Sequence, residues 1–280
     1  NSPLEKSLFS DKIKPELYDL LIKVVNENLP LLHRYIALKK KMLKSKDFHI
    51  YDVYIEPLKV KNKKVSYDKC LEMIYDALAP LGKTYITDLK KGIASGWVDV
   101  YPKKGKRSGA YSWGSYDTLP YLSINYENDY SSVDTLIHEL GHSMHSYYSN
   151  KCNNYSDASY PIFLAEIAST VNEMLLTKYM LNNTKDKNEK KKYVFELLES
   201  IRTTIFRQTM FAEFERDIYD KYNNGVSITS EELNSTYYNL NKKYFGENII
   251  IDEEIKYEWA RIPHFYTPFY VYKYATGLIV

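Results

Sequence analysis

The chain has 280 residues, 44% of them hydrophobic and 26% charged, which supplies a sizeable core, allows one large domain or a core with an appended piece, and excludes intrinsic disorder. Its 38 Lys and Arg against 36 Asp and Glu leave a net charge of +2, which excludes the basic excess of a nucleic-acid footprint. No apolar stretch approaches the roughly 20 residues of a membrane span. Cys70 and Cys152 are the only cysteines and lack CxxC spacing, so they read as reduced thiols in a cytoplasmic protein. The start, Asn1-Ser2-Pro3, is neither a signal peptide nor an initiator sequence. Tyrosine is abundant at 29 residues; it suits half-buried positions and peptide-holding grooves alike.

In chain order, residues 15–46 carry helical apolar spacing (Leu17, Leu20, Leu21, Val24, Val25, then Leu31, Leu32, Tyr35, Leu38), with a break expected near Leu29 because Pro30 lacks a backbone donor. The run Lys39, Lys40, Lys41, Lys44 and Lys46 reads as a solvated helix face. Residues 52–58 alternate briefly, as a connecting strand would. Ser66 caps an apolar run ending at Gly82, and residues 83–91 form another helix. Residues 92–126 differ: five glycines separate β-rich runs at 97–101, 110–113 and 121–126, which predicts a small antiparallel sheet. Helices are then expected at 132–149, 161–181, 187–223, 230–245 and 268–280. The fold class is mostly α with one small sheet before a long helix.

That helix carries His138-Glu139-Leu140-Gly141-His142. Residues four apart stack one turn above each other, so both imidazoles face one point. Two neutral His nitrogens and a carboxylate leave a tetrahedral zinc with one open position for water, whose pKa falls to about 7. Glu139 projects beside the ligands, placed to act as general base on a zinc-bound water and to pass the proton to the leaving amine. Ser131-Ser132-Val133-Asp134 matches a capping box, starting a helix where the motif needs one. Gly141 costs about 1 kcal/mol in a helix interior, a cost that a close approach would offset.

The third ligand lies elsewhere. A metzincin places Gly and His three and six residues after the second ligand; His145 and Tyr148 stand there, which excludes that class. Glu166 is the expected ligand, since Ala165, Ala168 and Ser169 let two helices approach closely. Glu173, two turns on, is its competitor. His145 as a fourth ligand would close the site, so it reads as a packed residue or as one that supports a ligand from behind. Asp134 fits equally as a cap and as the partner of the His138 ring's other nitrogen.

Beyond the motif, Gly96-Trp97-Val98-Asp99-Val100-Tyr101, Gly105-Lys106-Arg107-Ser108-Gly109-Ala110-Tyr111, Gly114-Ser115-Tyr116-Asp117-Thr118, the stretch His138-Glu139-Leu140-Gly141-His142-Ser143-Met144-His145-Ser146, and Arg261-Ile262-Pro263-His264-Phe265-Tyr266 together resemble oligoendopeptidase F, of the thimet oligopeptidase family of zinc metallopeptidases. The resemblance runs through nearly the whole chain. It implies a helical zincin-type fold around a deep substrate channel, one zinc ion with Glu166 as third ligand, and short peptide substrates cleaved at internal bonds. It also implies that the chain is the C-terminal part of a longer protein. Residues 1–60 would then end an N-terminal helical region, and 61–280 would form the catalytic domain, truncated at both ends; Val280, closing an apolar run, fits that expectation.

The resemblance further assigns a His and tyrosines near the C-terminus to the oxyanion. Thr267-Pro268 reads as the start of the last helix, with His264 and Tyr266 in the loop before it and Tyr270 and Tyr272 on its first turns. Which tyrosine acts is open; alternatively Phe265, Phe269 and Tyr272 form a core stripe. Residues 121–126 are in place to serve as the edge strand that pairs with a substrate backbone, or as an inner strand. The competing functions are a related carboxydipeptidase, which needs a cation for a free C-terminus, and a catalytically silent peptide-binding module, which would not need Glu139.

Overall fold

Ser2 opens the first helix, α1 (Pro3–Phe9): its Oγ accepts from the Glu5 N–H while the Glu5 carboxylate accepts from the Ser2 N–H, satisfying two orphan donors at once. In the computed structural model, which describes residues 2–58, 60 and 63–279, the chain forms two units, Asn1–Lys59 with Leu198–Val280, and Val60–Leu197. Residues 198–280, which the sequence grouped with 61–197, here belong to the unit that contains the N-terminal residues.

In the first unit, α2 (Pro15–Glu27) and α3 (Leu29–Leu43) separate at Asn28, and Pro30 falls in the first turn of α3, where its missing N–H breaks no helical bond. Lys39 departs from the solvated face expected of its neighbours. It is buried, with Nζ donating to the Val53 carbonyl at 2.5 Å and to Glu199 Oε1 at 3.1 Å. No strand forms at 52–58. The His49 N–H is held by Asp52 Oδ2 at 2.9 Å, which closes a 3₁₀ turn over Ile50–Tyr54 instead.

In the second unit, Ser66 caps α4 (Tyr67–Ala77), and Gly82 at φ +99° turns the chain into α5 (Lys83–Ala94). Three short strands follow: β1 (Val98–Asp99), β2 (Tyr111–Trp113) and β3 (Tyr121–Ser123). The sheet is mixed, which corrects the antiparallel expectation: the order is β1–β3–β2, with β1 parallel and β2 antiparallel to β3. Lys106 Nζ, bonded to the carbonyls of Asp99, Tyr101 and Ile124, folds the connecting loop so that β1 lies along β3. β3 is therefore the inner strand and β2 an edge.

Next come α6 (Tyr130–Cys152), α7 (Ile162–Asn183) and α8 (Lys187–Ser200). The cap of α6 is Asp129, two residues before the expected Ser131: its Oδ1 accepts from both the N–H and the Oγ of Ser132 at 2.8 Å. The apolar face of α6 (Val133, Leu136, Ile137, Leu140, Met144) packs with Leu122 and Ile124 of the sheet segment, Ile74 of α4 and Leu176 of α7.

α8 continues through a π-helical turn, Ile201–Phe206, into α9 (Arg207–Asn223); α10 (Ser230–Phe245), two 3₁₀ segments and α11 (Tyr272–Ile279) complete the first unit. The last helix begins at Tyr272, not at Pro268 as Thr267-Pro268 suggested. Phe269 adopts φ +60°, a left-handed conformation that a helix cannot contain, and its N–H is taken by the buried Glu215 carboxylate at 2.9 Å. Tyr18, Phe269 and Tyr272 pack ring against ring in this unit's core. Among the described residues, no helix is long and apolar enough to cross a membrane.

Candidate metal centre

The site grows from the contact of α6 with α7. At Gly141, a Cβ would lie 2.7 Å from both the Ala168 carbonyl oxygen and the Ser169 Cα, so only glycine permits this approach. Asn172 adds a bond from its Nδ2 to the Ile137 carbonyl at 3.2 Å. The small residues of α7 thus do what their sequence pattern suggests, and a carboxylate on α7 is brought against the imidazoles of α6.

That carboxylate is Glu166. Its Oε2 lies 3.5 Å from His138 Nε2 and 3.6 Å from His142 Nε2, and the two nitrogens are 3.1 Å apart. Tetrahedral ligands about 2.1 Å from a zinc ion stand roughly 3.4 Å from one another. The three atoms therefore fit one zinc ion, in ligand type and in spacing. They are also the trio of His, Cys, Asp and Glu residues among the described residues that gathers closely enough to hold a metal.

Glu173 stands outside this trio. It accepts from His138 Nδ1 at 2.5 Å, which turns Nε2 toward Glu166 and fixes the ring's tautomer. The His142 ring is bonded in turn to the Ala165 carbonyl. The structure thus gives Glu173 the supporting role for which Asp134 was a candidate. Asp134 lies nearby in a cluster with Glu173 and Glu196, where burial, and then the Glu173 charge, push its carboxyl up to about 7 against the pull of His138. Burial opposes charging of His138, but the Glu173 hydrogen bond and the surrounding carboxylates outweigh it and raise its pKa; burial and the His138 charge lower that of His142. His145 stands apart from the trio, its ring stacked on Tyr160 at 3.7 Å between centroids and its pKa lowered by burial.

Glu139 is buried beside the ligands on the same turn. Burial raises its pKa, His138 opposes the rise, Glu166 adds to it, and the Ser112 N–H donates to the carboxylate. A side-chain bond from Ser112 Oγ to Ser143 Oγ at 2.8 Å ties β2 to α6. The edge strand beside the motif is thus β2, not residues 121–126, and Ser112 went unnoticed because a lone serine in a three-residue strand carries no sequence signal.

The C-terminal candidates all lie in the first unit. His264, Tyr270 and Tyr274 form one aromatic cluster with centroids 5.5–6.0 Å apart, and the Tyr274 hydroxyl stands 3.4 Å from His264 Nε2. No sequence signal marked Tyr274, because Tyr270 lies before α11 and helical spacing does not relate the two. Tyr266 is 75% exposed with its hydroxyl on the Ala260 carbonyl at 3.4 Å. Tyr272 is 0% exposed, packed on Tyr18 with its hydroxyl paired to Asp11. With Phe269 it surrounds Tyr18, as the core-stripe alternative had it, whereas Phe265, the third member of that stripe, packs on Phe211 and Phe214.

The model of peptidase family M3 matches residues 1–279. Oligopeptidase PepF of Bacillus subtilis is 50% identical over 276 residues, covering 99% of this chain and 41% of that protein. The chromosomal oligoendopeptidase F of Lactococcus lactis subsp. cremoris is 44% identical over 277 residues, covering 99% of this chain and 46% of that protein. The chain thus spans less than half the length of these relatives. The crystal structure of oligoendopeptidase F from Enterococcus faecium superposes with a TM-score of 0.73 at 36% identity, covering 99% of this chain and 42% of that one. The chain, with two histidines one helical turn apart, the carboxylate that meets them and this match over residues 1–279, belongs to peptidase family M3.

Proposed function

We propose that this chain is the catalytic part of a zinc metalloendopeptidase that hydrolyses internal peptide bonds of short oligopeptides in the cytoplasm. The observation that carries the reading is the convergence of His138 Nε2, His142 Nε2 and Glu166 Oε2 beside the buried Glu139 carboxylate. The relatives' names, oligopeptidase and oligoendopeptidase, support the substrate class and the internal position of the cut, and the unpaired Cys70 and Cys152 fit a reducing compartment.

His138, His142 and Glu166 would hold the ion, which when bound supplies Lewis acidity and lowers a water's pKa to about 7. Glu139 takes the proton of the attacking water and delivers it to the leaving nitrogen; its raised pKa brings it nearer the balance such a shuttle needs. The edge of β2 not paired with β3 aligns the substrate backbone as an added strand, beside the Ser112 N–H that holds the Glu139 carboxylate. The family resemblance assigns His264 and neighbouring tyrosines to the scissile carbonyl's developing charge, and Tyr270, Tyr274 and the exposed Tyr266 are the hydroxyls available for that role. Tyr272 has no place in this set, because a hydroxyl enclosed in the core cannot meet substrate.

The test is cleavage of internally quenched peptides with the product bonds identified by mass spectrometry. Cleavage at internal bonds, abolished by a chelator and restored by zinc, is expected. Removal of C-terminal dipeptides only, or cleavage indifferent to the chelator, would contradict the proposal.

A further inference from the structure

Beside the metal ligands the second unit holds a cavity of about 570 Å³ with no charged residue in its lining. One wall is the end of β2 and the loop after it, with Ser112, Trp113 and Tyr116; the other is the part of α6 that follows the histidines, with Ser146 and Asn150. Tyr155 and Tyr160 close it from the loop between α6 and α7. Its walls are held by local bonds. The Ser146 and Tyr160 hydroxyls are 2.8 Å apart, the Tyr116 hydroxyl donates to the Asn153 carbonyl at 2.8 Å, and the Tyr116 and Tyr155 rings meet edge to face at 5.5 Å. Tyr155 and Trp113 stand 78% and 77% exposed at the rim.

The cavity shares residues with the catalytic apparatus. Ser112 lines it and also offers its N–H to Glu139; Ser146 is one turn beyond His142, and Tyr160 stacks on His145. A peptide added along the open edge of β2 has side chains alternating between faces with a period of two. The Ser112 side chain points to α6, where it meets Ser143. The peptide residue opposite Ser112 therefore points to α6 as well, and the residue two further on toward Gly114 points into the cavity.

We propose that this cavity is a side-chain subsite that selects an uncharged residue, aromatic or amide-bearing, about two positions along the peptide from the residue that pairs with Ser112. Hydroxyls and one amide satisfy polar uncharged groups, and the tyrosine faces receive a ring. A carboxylate or ammonium entering it finds no counter-charge and loses its water, a penalty that corresponds to about tenfold or more in relative rate. The inference rests on the peptidase reading above and goes further by naming what the site selects.

The test is a set of quenched peptides in which each position in turn carries Phe, Gln, Glu or Lys, scored as relative kcat/KM in the purified zinc-loaded enzyme. At one position, Phe and Gln should exceed Glu and Lys by about tenfold. Asn150→Lys should then shift the Glu/Phe ratio at that same position upward by about fivefold, and Asn150→Asp should do so for Lys/Phe, as a partly exposed ion pair would. Tyr155→Ala, at an exposed rim position, should narrow the Phe preference without a charge effect and serves if either Asn150 variant fails to fold. An active, zinc-dependent enzyme whose variants all keep the wild-type profile overturns the subsite and leaves the peptidase reading standing. A wild-type enzyme that cleaves nothing overturns both.

Discussion

Glu173 Oε1 lies 2.5 Å from His138 Nδ1, two helical turns beyond the carboxylate that meets the same ring's other nitrogen. One helix thus reaches both nitrogens of one imidazole, Glu166 at Nε2 and Glu173 at Nδ1. Glu173→Gln should weaken zinc binding about 10- to 100-fold, and Glu166→Ala should weaken it more. Zinc titration against a competing chelator measures both; unchanged affinity in the Glu173 variant would refute its positioning role.

Glu139→Gln should bind zinc as wild type does while turnover falls by several orders of magnitude, because the change removes a base and leaves the ligands in place. Metal analysis alongside peptide cleavage separates the two effects. Zinc loss in this variant would mean that Glu139 is a ligand.

His264→Ala, and at least one of Tyr266→Phe, Tyr270→Phe and Tyr274→Phe, should lower kcat about 10²–10³-fold with little change in KM and with zinc retained, the pattern for a group that acts on the transition state. Tyr272→Phe should change thermal stability and leave kcat near wild type. A kcat collapse in the Tyr272 variant, with zinc and fold intact, would return Tyr272 to the donor set.

Gly141→Ala should lower stability by about 1–3 kcal/mol despite alanine's better helix propensity. The added methyl would meet the backbone of Ala168 and Ser169 at 2.7 Å, and backbone yields less than a side chain. Thermal melts of the zinc-free forms read this without the metal's contribution. A neutral or stabilising result would show that α6 and α7 part easily.

Burial raises the Glu215 carboxyl from 4.5 to about 8, with the Phe269 N–H opposing the rise. A carboxyl whose folded pKa lies above its unfolded one keeps its proton in the fold, so its contribution is most favourable at low pH and is lost as pH climbs from about 4.5 to about 8. Glu215→Gln keeps an acceptor for Phe269 and cannot ionise. Its melting temperature should match wild type near pH 5 and exceed it increasingly up to pH 8; a gap that stays constant over that range would refute the assignment.

The sequence by itself determined the helical class, the capped helix after Ser66, the break before α3 and the pairing of His138 and His142 on one helix face. Each rests on a local rule. A 3.6-residue period puts His138 and His142 on one face, and a cluster of small residues around Glu166 marks where a second helix comes close. Strand order was beyond such rules, because pairing depends on how Lys106 gathers three carbonyls, one of them the Ile124 carbonyl beyond β3, and no local pattern marks that contact. The start of α11 escaped for a similar reason: Thr267-Pro268 is good local helix-starting chemistry, but Glu215, over fifty residues earlier, holds Phe269 in a left-handed turn. The roles of Glu166 and Glu173 were decided by tertiary structure too. Seven residues apart on one helix, they share a face and a chemistry, and only the rotation and depth of α7 against Gly141 settle which carboxylate meets Nε2 and which meets Nδ1.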